Sequence, residues 1–187
     1  MLTPSLAAFA LWAPRVYQYY QNHLRSLYQH PRFNYLEKSR NFLCSIFPCC
    51  TVNFGGNVWC YKHHDVLNCP FGWCGITALG RFDPQRGGHL VLWELRLVIE
   101  FPHASTIFIP SASFTHSNTP VAQGESRLSF TQYCAGRIFQ FIDNGFRTEK
   151  MLKQEDYPAF KQQQAEKPTR WSKCINLLST LEELDIQ

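Results

Sequence analysis

Apolar and aromatic positions recur at three- and four-residue steps after Pro14: Val16, Tyr19, Tyr20, Leu24, Leu27 and Tyr28, with His23 on the same face. This spacing predicts an amphipathic helix that starts at Pro14, where a missing N–H costs nothing, and ends near His30-Pro31. A second short helix is expected over Tyr35–Leu43. Near residue 50 the pattern changes to short runs split by turn residues. Strands are expected at Thr51–Phe54, Val58–His63, Cys74–Leu79, His89–Trp93, Leu95–Phe101, Thr106–Ile109, Ser113–His116 and Arg127–Tyr133. Within Leu95–Phe101, Leu97, Ile99 and Phe101 alternate with Arg96, Val98 and Glu100, which predicts one buried face. Helices follow at Gly136–Asn144, stopped by Gly145, then at Glu149–Gln164 and Ser172–Leu184, with Lys167-Pro168 between them.

Seven or eight short strands at this spacing predict a mainly β fold with flanking α-helices, jelly-roll-like. The chain of 187 residues is read as one domain. It has an N-terminal helical part (1–44), a β core (45–135) and a C-terminal helical part (136–187). No run approaches the roughly 20 apolar residues of a membrane span, so no membrane partner is expected. The run Leu6–Trp12 lacks the basic flank of a signal peptide and is broken by Pro14. It fits a helix packed on the body, or a truncated gene model.

The net charge of +4 lies entirely in the first part. Residues 1–75 carry Arg15, Arg25, Arg32, Lys38, Arg40 and Lys62 against Glu37 and Asp65, whereas the rest balances with twelve of each sign. Such an excess is compatible with a polyanionic partner and also with a solvated helical face. The eight cysteines lack the paired C-x-x-C spacing of a zinc site. Reduced, mostly buried thiols in a nuclear or cytoplasmic protein are the expectation.

The candidate chemistry lies between His63 and Arg127. On a strand, residues i and i+2 share a face. His63 and Asp65 would therefore present an imidazole and a carboxylate together, with His64 turned away. His116, about fifty residues on, would come from a strand crossing beside them. Two histidines and one carboxylate form the facial triad of non-haem Fe(II) sites. Alone, H-x-D is more often a polar contact than a ligand set. Arg127 and, two residues on, Ser129 add a guanidinium fork and a hydroxyl, the groups a buried carboxylate such as the far end of 2-oxoglutarate requires. The alternative for Arg127 is an ion pair with Glu125. Trp73, Trp93 and His89 suit core or half-buried positions better than a site. Asp83 and Arg86 fall in a loop. No phosphate-binding Gly-rich loop, serine triad or Cys-His nucleophile pair is evident.

Residues 45–147 resemble the TET/JBP family of 2-oxoglutarate- and Fe(II)-dependent dioxygenases, in particular its compact basidiomycete fungal branch. The matching pieces, in order, are His63-His64-Asp65-Val66-Leu67-Asn68, Gly72-Trp73-Cys74-Gly75-Ile76-Thr77-Ala78-Leu79-Gly80 and Phe82-Asp83-Pro84, then Gly87-Gly88-His89-Leu90-Val91-Leu92-Trp93. Ser105 to Ala112, His116-Ser117-Asn118 and Arg127-Leu128-Ser129-Phe130-Thr131-Gln132-Tyr133 continue it. The resemblance implies a double-stranded β-helix core that oxidises a methyl group on a nucleic-acid base, 5-methylcytosine in DNA first. It implies Fe(II) as metal, 2-oxoglutarate and O2 as cosubstrates, and DNA as the first partner. By position, the metal ligands and catalytic residues are His63, Asp65 and His116, the cosubstrate residues Arg127 and Ser129, and the substrate residues Asn68 and Tyr133, the latter stacking on a flipped base. Where animal members carry a base-reading histidine this chain has Ala135, and their Cys-rich extension has no counterpart. The iron chemistry is therefore implied more firmly than the base. The alternatives are the same chemistry on a small molecule, an RNA base or a protein side chain, or a non-catalytic, transposon-associated binder of DNA or a partner.

Overall fold

The computed structural model describes residues 4–184. The ends of the expected N- and C-terminal parts, 1–3 and 185–187, lie outside the described residues. The chain divides into two compact units, Cys49–Cys134 and the remainder on either side of it.

The helical unit begins with α1 (Pro4–Trp12) and α2 (Pro14–Gln29), followed by the short α3 (Tyr35–Lys38). Pro14 opens α2, and the face bearing Val16, Tyr17, Tyr20, Leu24 and Leu27 is buried. Phe9 of α1 stacks on Phe47 at 5.6 Å and meets Tyr20 edge-on at 5.8 Å. The run Leu6–Trp12 is thus a packed helix, with Leu6 and Phe9 buried. No described helix is long and apolar enough to cross a membrane.

The β unit holds β1 (Cys49–Asn53), β2 (Cys74–Arg81), β3 (Leu90–Leu92), β4 (Leu97–Ile99), β5 (Thr106–Ile109), β6 (His116–Asn118) and β7 (Ser126–Tyr133). One sheet has the order β1-β7-β2-β5, the other β4-β3-β6, and every pairing is antiparallel. An isolated bridge joins His63 to His116 of β6, adding one residue of an eighth strand to the second sheet's edge. Counting that bridge as the second strand, one sheet takes places one, eight, three and six, the other five, four, seven and two. This is the double-stranded β-helix, a jelly roll of two facing sheets. The core between them is built by Cys74, Ile76 and Ala78 of β2, Leu90 and Leu92 of β3, Ile109 of β5, and Phe101. The alternating residues of β2 and β3 point inward because the strand period is two.

Three expected strands differ. Val58–His63 is not a regular strand: only Asn57 and His63 form bridges. The Tyr61 carbonyl accepts a hydrogen bond from the His63 ring instead of a neighbouring strand. The run Ser113–His116 becomes strand only at His116, since Ser113 and Phe114 turn back through their N–H groups onto the Pro110 carbonyl. In Leu95–Phe101, a turn at Trp93–Arg96 with Arg96 at φ 54° leaves only Leu97–Ile99 paired, and Leu97 is exposed while Phe101 is buried.

After β7 come α4 (Gly136–Asp143), α5 (Glu149–Glu155) and α6 (Tyr157–Ile175). Gly145 stops α4 at φ 66°, as expected. The expected break at Lys167-Pro168 is absent: α6 runs through Pro168, and no separate helix covers Ser172–Leu184. The break falls at Asp156, whose side chain caps α6 by accepting from the Ala159 N–H, with Pro158 in the first turn. Pro168 removes one hydrogen bond from an exposed helix, and the cap fixes the start of the helix elsewhere.

Candidate metal and cosubstrate site

The second sheet's edge brings His63, Asp65 and His116 together. Their potential ligand atoms all lie within 4.8 Å of one another. His63 Nε2 is 3.6 Å from Asp65 Oδ1, and His116 Nε2 is 4.0 Å from Asp65 Oδ2. The backbones of His63 and His116 exchange both N–H to carbonyl bonds at 3.0 Å. Asp65 is held by its own N–H on the Ser111 carbonyl at 3.0 Å.

The chemistry of this donor set suits a divalent transition metal. Each imidazole uses Nδ1 on the carbonyl of the residue two before it: His63 on Tyr61 at 2.7 Å, His116 on Phe114 at 3.0 Å. A carbonyl only accepts, so each Nδ1 carries the proton and each Nε2 lone pair is directed at the cluster. Burial disfavours the His116 imidazolium, and the nearby His63 adds to this, outweighing the opposite pull of the Phe114 carbonyl and Asp65. A neutral imidazole is the form that binds metal. His64 faces the other way, with Nε2 2.8 Å from Thr115 Oγ1.

Arg127 is 1% exposed on β7. Its Nη1 donates to the Val58 carbonyl at 2.8 Å, while buried Nε and Nη2 have no hydrogen-bond partner among the described residues. Burial pulls its pKa down from the ordinary arginine value, partly offset by Cys60. The guanidinium lies 5.9 Å from the Phe101 ring centroid. Glu125 is not its partner: that carboxylate accepts from the Asp83 and Ala122 N–H groups at 2.9 and 2.8 Å. Two unpaired N–H groups on one buried guanidinium fit an external carboxylate. Ser129 is also buried, its hydroxyl accepting from Asn53 Nδ2 at 3.0 Å.

A cavity of about 580 Å³ opens over the cluster, lined by His63, Asp65, His116, Asn68, Ser129 and Tyr133 among others. Val58 and Cys60, which contact or face Arg127, also line it. Asn68 reaches back across a turn closed by its N–H on the Asp65 carbonyl at 2.8 Å. Its Nδ2 donates to Asp65 Oδ2 at 3.3 Å and Ser111 Oγ at 3.1 Å, so the amide orients the carboxylate. The Tyr133 hydroxyl lies 3.5 Å from Thr51 Oγ1.

The other polar candidates lie off the cavity. His89 pairs with Thr119 at 3.1 Å, and His103 Nδ1 accepts from the Gly80 N–H at 3.1 Å. Trp73 stacks on Phe108 at 6.3 Å. Trp93 is 45% exposed rather than core, with Lys62 Nζ 4.5 Å over its ring and its own N–H on Ser117. Among the cavity residues that the sequence reading did not single out are Asn118 and Cys60. Asn118 follows His116 by two on the same strand face, a period-two signal that could have found it. Cys60, whose thiol donates to Asn118 Oδ1 at 3.1 Å, carried no such signal.

No protein-family model and no curated protein matches the chain. Among solved structures, it resembles NgTET1 in complex with 5mC DNA at TM-score 0.42 and 16% identity, over 63% of this chain and 46% of that one. The match therefore spans under half of the NgTET1 chain. It also resembles the viral collagen prolyl hydroxylase vCPH of Paramecium Bursaria Chlorella virus-1 in its 2OG complex, at TM-score 0.34 and 15% identity, over 62% of this chain and 70% of that one.

Proposed function

We propose that the cavity is the active site of an Fe(II)- and 2-oxoglutarate-dependent dioxygenase that oxidises a methyl group on a nucleic-acid base, 5-methylcytosine in DNA first. One observation carries the reading: a buried guanidinium with two unpartnered N–H groups stands behind the wall of a cavity that also holds a His-Asp-His cluster. A structural arginine would be paired internally, because an unmet buried donor is costly. His63, Asp65 and His116 would hold the metal, and Arg127 the distal carboxylate of 2-oxoglutarate, with the Ser129 hydroxyl beside it. Bound iron, with 2-oxoglutarate and O2, supplies the oxidant for an unactivated C–H bond.

The chain's own groups do the rest. The Tyr61 and Phe114 carbonyls fix the ligand tautomers, Asn68 orients Asp65, and burial keeps His116 neutral. The cavity is of the size that takes small ligands. Tyr133 on its wall can stack on a flipped base, and Asn68 can meet the base edge. Exposed Val66 and Leu67 at the same cavity add apolar surface for an unstacked base.

The test is incubation with Fe(II), 2-oxoglutarate and oligonucleotides, DNA and RNA, carrying different methylated bases, with mass spectrometry of succinate and of the bases. Succinate together with hydroxymethylcytosine supports the full reading. Succinate without base oxidation rejects the nucleic-acid substrate and leaves a small molecule or protein side chain. No succinate under any condition rejects the dioxygenase.

A further inference from the structure

We infer that His64, Thr115 and Glu94 form a clasp on the outer side of the site that holds the two ligand-bearing segments in register, making all three positioning residues. The inference rests on the reading of His63, Asp65 and His116 as a metal centre. Thr115 directly precedes His116, and His64 lies between His63 and Asp65. Thr115 Oγ1 is bonded both to His64 Nε2, at 2.8 Å, and to a Glu94 carboxylate oxygen. The second Glu94 oxygen accepts the Thr115 N–H at 2.9 Å.

The direction of each bond follows from counting protons. A carboxylate only accepts, so the single Thr115 hydroxyl proton goes to Glu94. The hydroxyl oxygen must then accept from His64, whose proton therefore sits on Nε2. The Glu94 carboxyl is held below its ordinary value, first of all by the Thr115 hydroxyl, as an ionised acceptor requires. Thr115 is 7% exposed, and its carbonyl accepts the Trp93 N–H at 3.0 Å. Every polar group of Thr115 is thus satisfied, by β3–β4 turn residues on one side and by His64 on the other. Between the two segments the backbone bonds include the His63–His116 pair and, on one side of it, the Asn118 N–H on the Cys60 carbonyl at 3.1 Å. The tie between 64 and 115 holds the other side of the bridge, next to Asp65, where a pivot would separate the imidazoles.

The test titrates Mn(II) by calorimetry and records the Co(II) ligand-field spectrum in wild type, Thr115→Val, Thr115→Ser, His64→Ala and Glu94→Gln. Loss of an outer partner of a metal ligand weakens binding by about tenfold or more. Thr115→Val and His64→Ala should each weaken Mn(II) by about tenfold and alter the Co(II) spectrum at saturation. Glu94→Gln should lie between them and wild type, and Thr115→Ser should stay within about twofold of wild type. His64→Ala and Glu94→Gln change exposed side chains, so they keep the test open if Thr115→Val fails to fold. Wild-type affinity and spectrum in His64→Ala and Glu94→Gln overturn the clasp, as does equal loss in Thr115→Ser and Thr115→Val. Absence of Mn(II) and Co(II) binding to wild type overturns the metal-centre reading, and the clasp with it.

Discussion

Replacing Arg127 by Met separates what the guanidinium does for folding from what it does for a ligand. In the ligand-free protein, two buried N–H groups lack partners, each at a cost of about 1–3 kcal/mol. Against this stand the Nη1 bond to the Val58 carbonyl, about 1.5–3 kcal/mol for a charged donor, and a ring contact with Phe101 of about 0.5–1 kcal/mol. Met is unbranched and fills the same channel with apolar contacts. At mid-range the balance favours the variant by about 1 kcal/mol, at the low end of what is found when buried charges are replaced by apolar residues. For a unit of this size, about 1 kcal/mol moves the melting midpoint by about 4–8 °C.

The assay is denaturant unfolding of wild type and Arg127→Met, with no addition, with Mn(II), and with Mn(II) plus 2-oxoglutarate. Without additions the variant should be the more stable. Mn(II) should stabilise both. Adding 2-oxoglutarate at a hundred times its Kd should add about 2.7 kcal/mol to wild type and nothing to the variant. Arg127→Lys keeps a charge but loses the planar fork, and should lose the 2-oxoglutarate increment without the gain in ligand-free stability. If ligand-free Arg127→Met is less stable than wild type by more than about 1 kcal/mol, the guanidinium is a strut and not a site. If the variant keeps the 2-oxoglutarate increment, the carboxylate is anchored elsewhere.

Three further outcomes are expected. His116→Ala should abolish saturable Mn(II) binding, measured by calorimetry, and an unchanged isotherm would remove His116 from the ligand set. Gly88 has φ 73°, and an added Cβ would stand 2.8 Å from a Phe82 ring carbon and 3.2 Å from Arg127 Cδ; Gly88→Ala should therefore cost roughly 1–3 kcal/mol and raise the Kd for 2-oxoglutarate, whereas unchanged cosubstrate binding would show that Arg127 need not hold its place. In the helical unit, burial lowers the His23 pKa, but the Asp143 carboxylate at 3.0 Å and the Tyr19 carbonyl at 2.8 Å raise it further, for a net rise. That contribution is fully present below about pH 6.5 and is lost as pH rises through the raised folded value, so urea unfolding should show wild type losing stability over that interval and His23→Gln losing less.

The bounds of α2 and α4 and the long strands are legible in the sequence because their signals are local, whereas the helix expected over Tyr35–Leu43 stops at Lys38. Alternation marked β2 and the inward Leu90 and Leu92, Pro14 marked the start of α2, and Gly145 the end of α4. What failed was decided by competition between partners. Pro168 reads as a break, yet the Asp156 cap and Pro158 set the start of α6 elsewhere. Leu97 reads as core in a period-two run, but the Arg96 turn leaves it at an exposed sheet edge. Trp93 reads as core by composition and lies under a lysine at the surface. At the site, the i, i+2 spacing brought out His63 and Asp65, whereas the bond from Asn68 to Asp65, the clasp at His64 and the loneliness of Arg127 depend on residues far away in sequence.

The two failed strand expectations nearest the site share one feature, beside the turn onto the Pro110 carbonyl that shortens the second. Val58–His63 and Ser113–His116 both have strand-like composition, and both end in a histidine of the His-Asp-His cluster. In each, the carbonyl two residues before that histidine is taken by its own Nδ1 rather than by a neighbouring strand. A carbonyl used in this way is directed away from the sheet, so the ladder is interrupted where the ring is fixed. The same bond that makes the strand irregular sets the tautomer and aims Nε2 at Asp65. On the proposed reading of His63 and His116 as metal ligands, the irregularity beside them accompanies preparation of the rings, and local departures from sheet pattern of this kind are where function is to be expected. It follows that restoring a regular ladder there, by substitutions that free the Tyr61 and Phe114 carbonyls, would act against metal binding even if it strengthened the sheet.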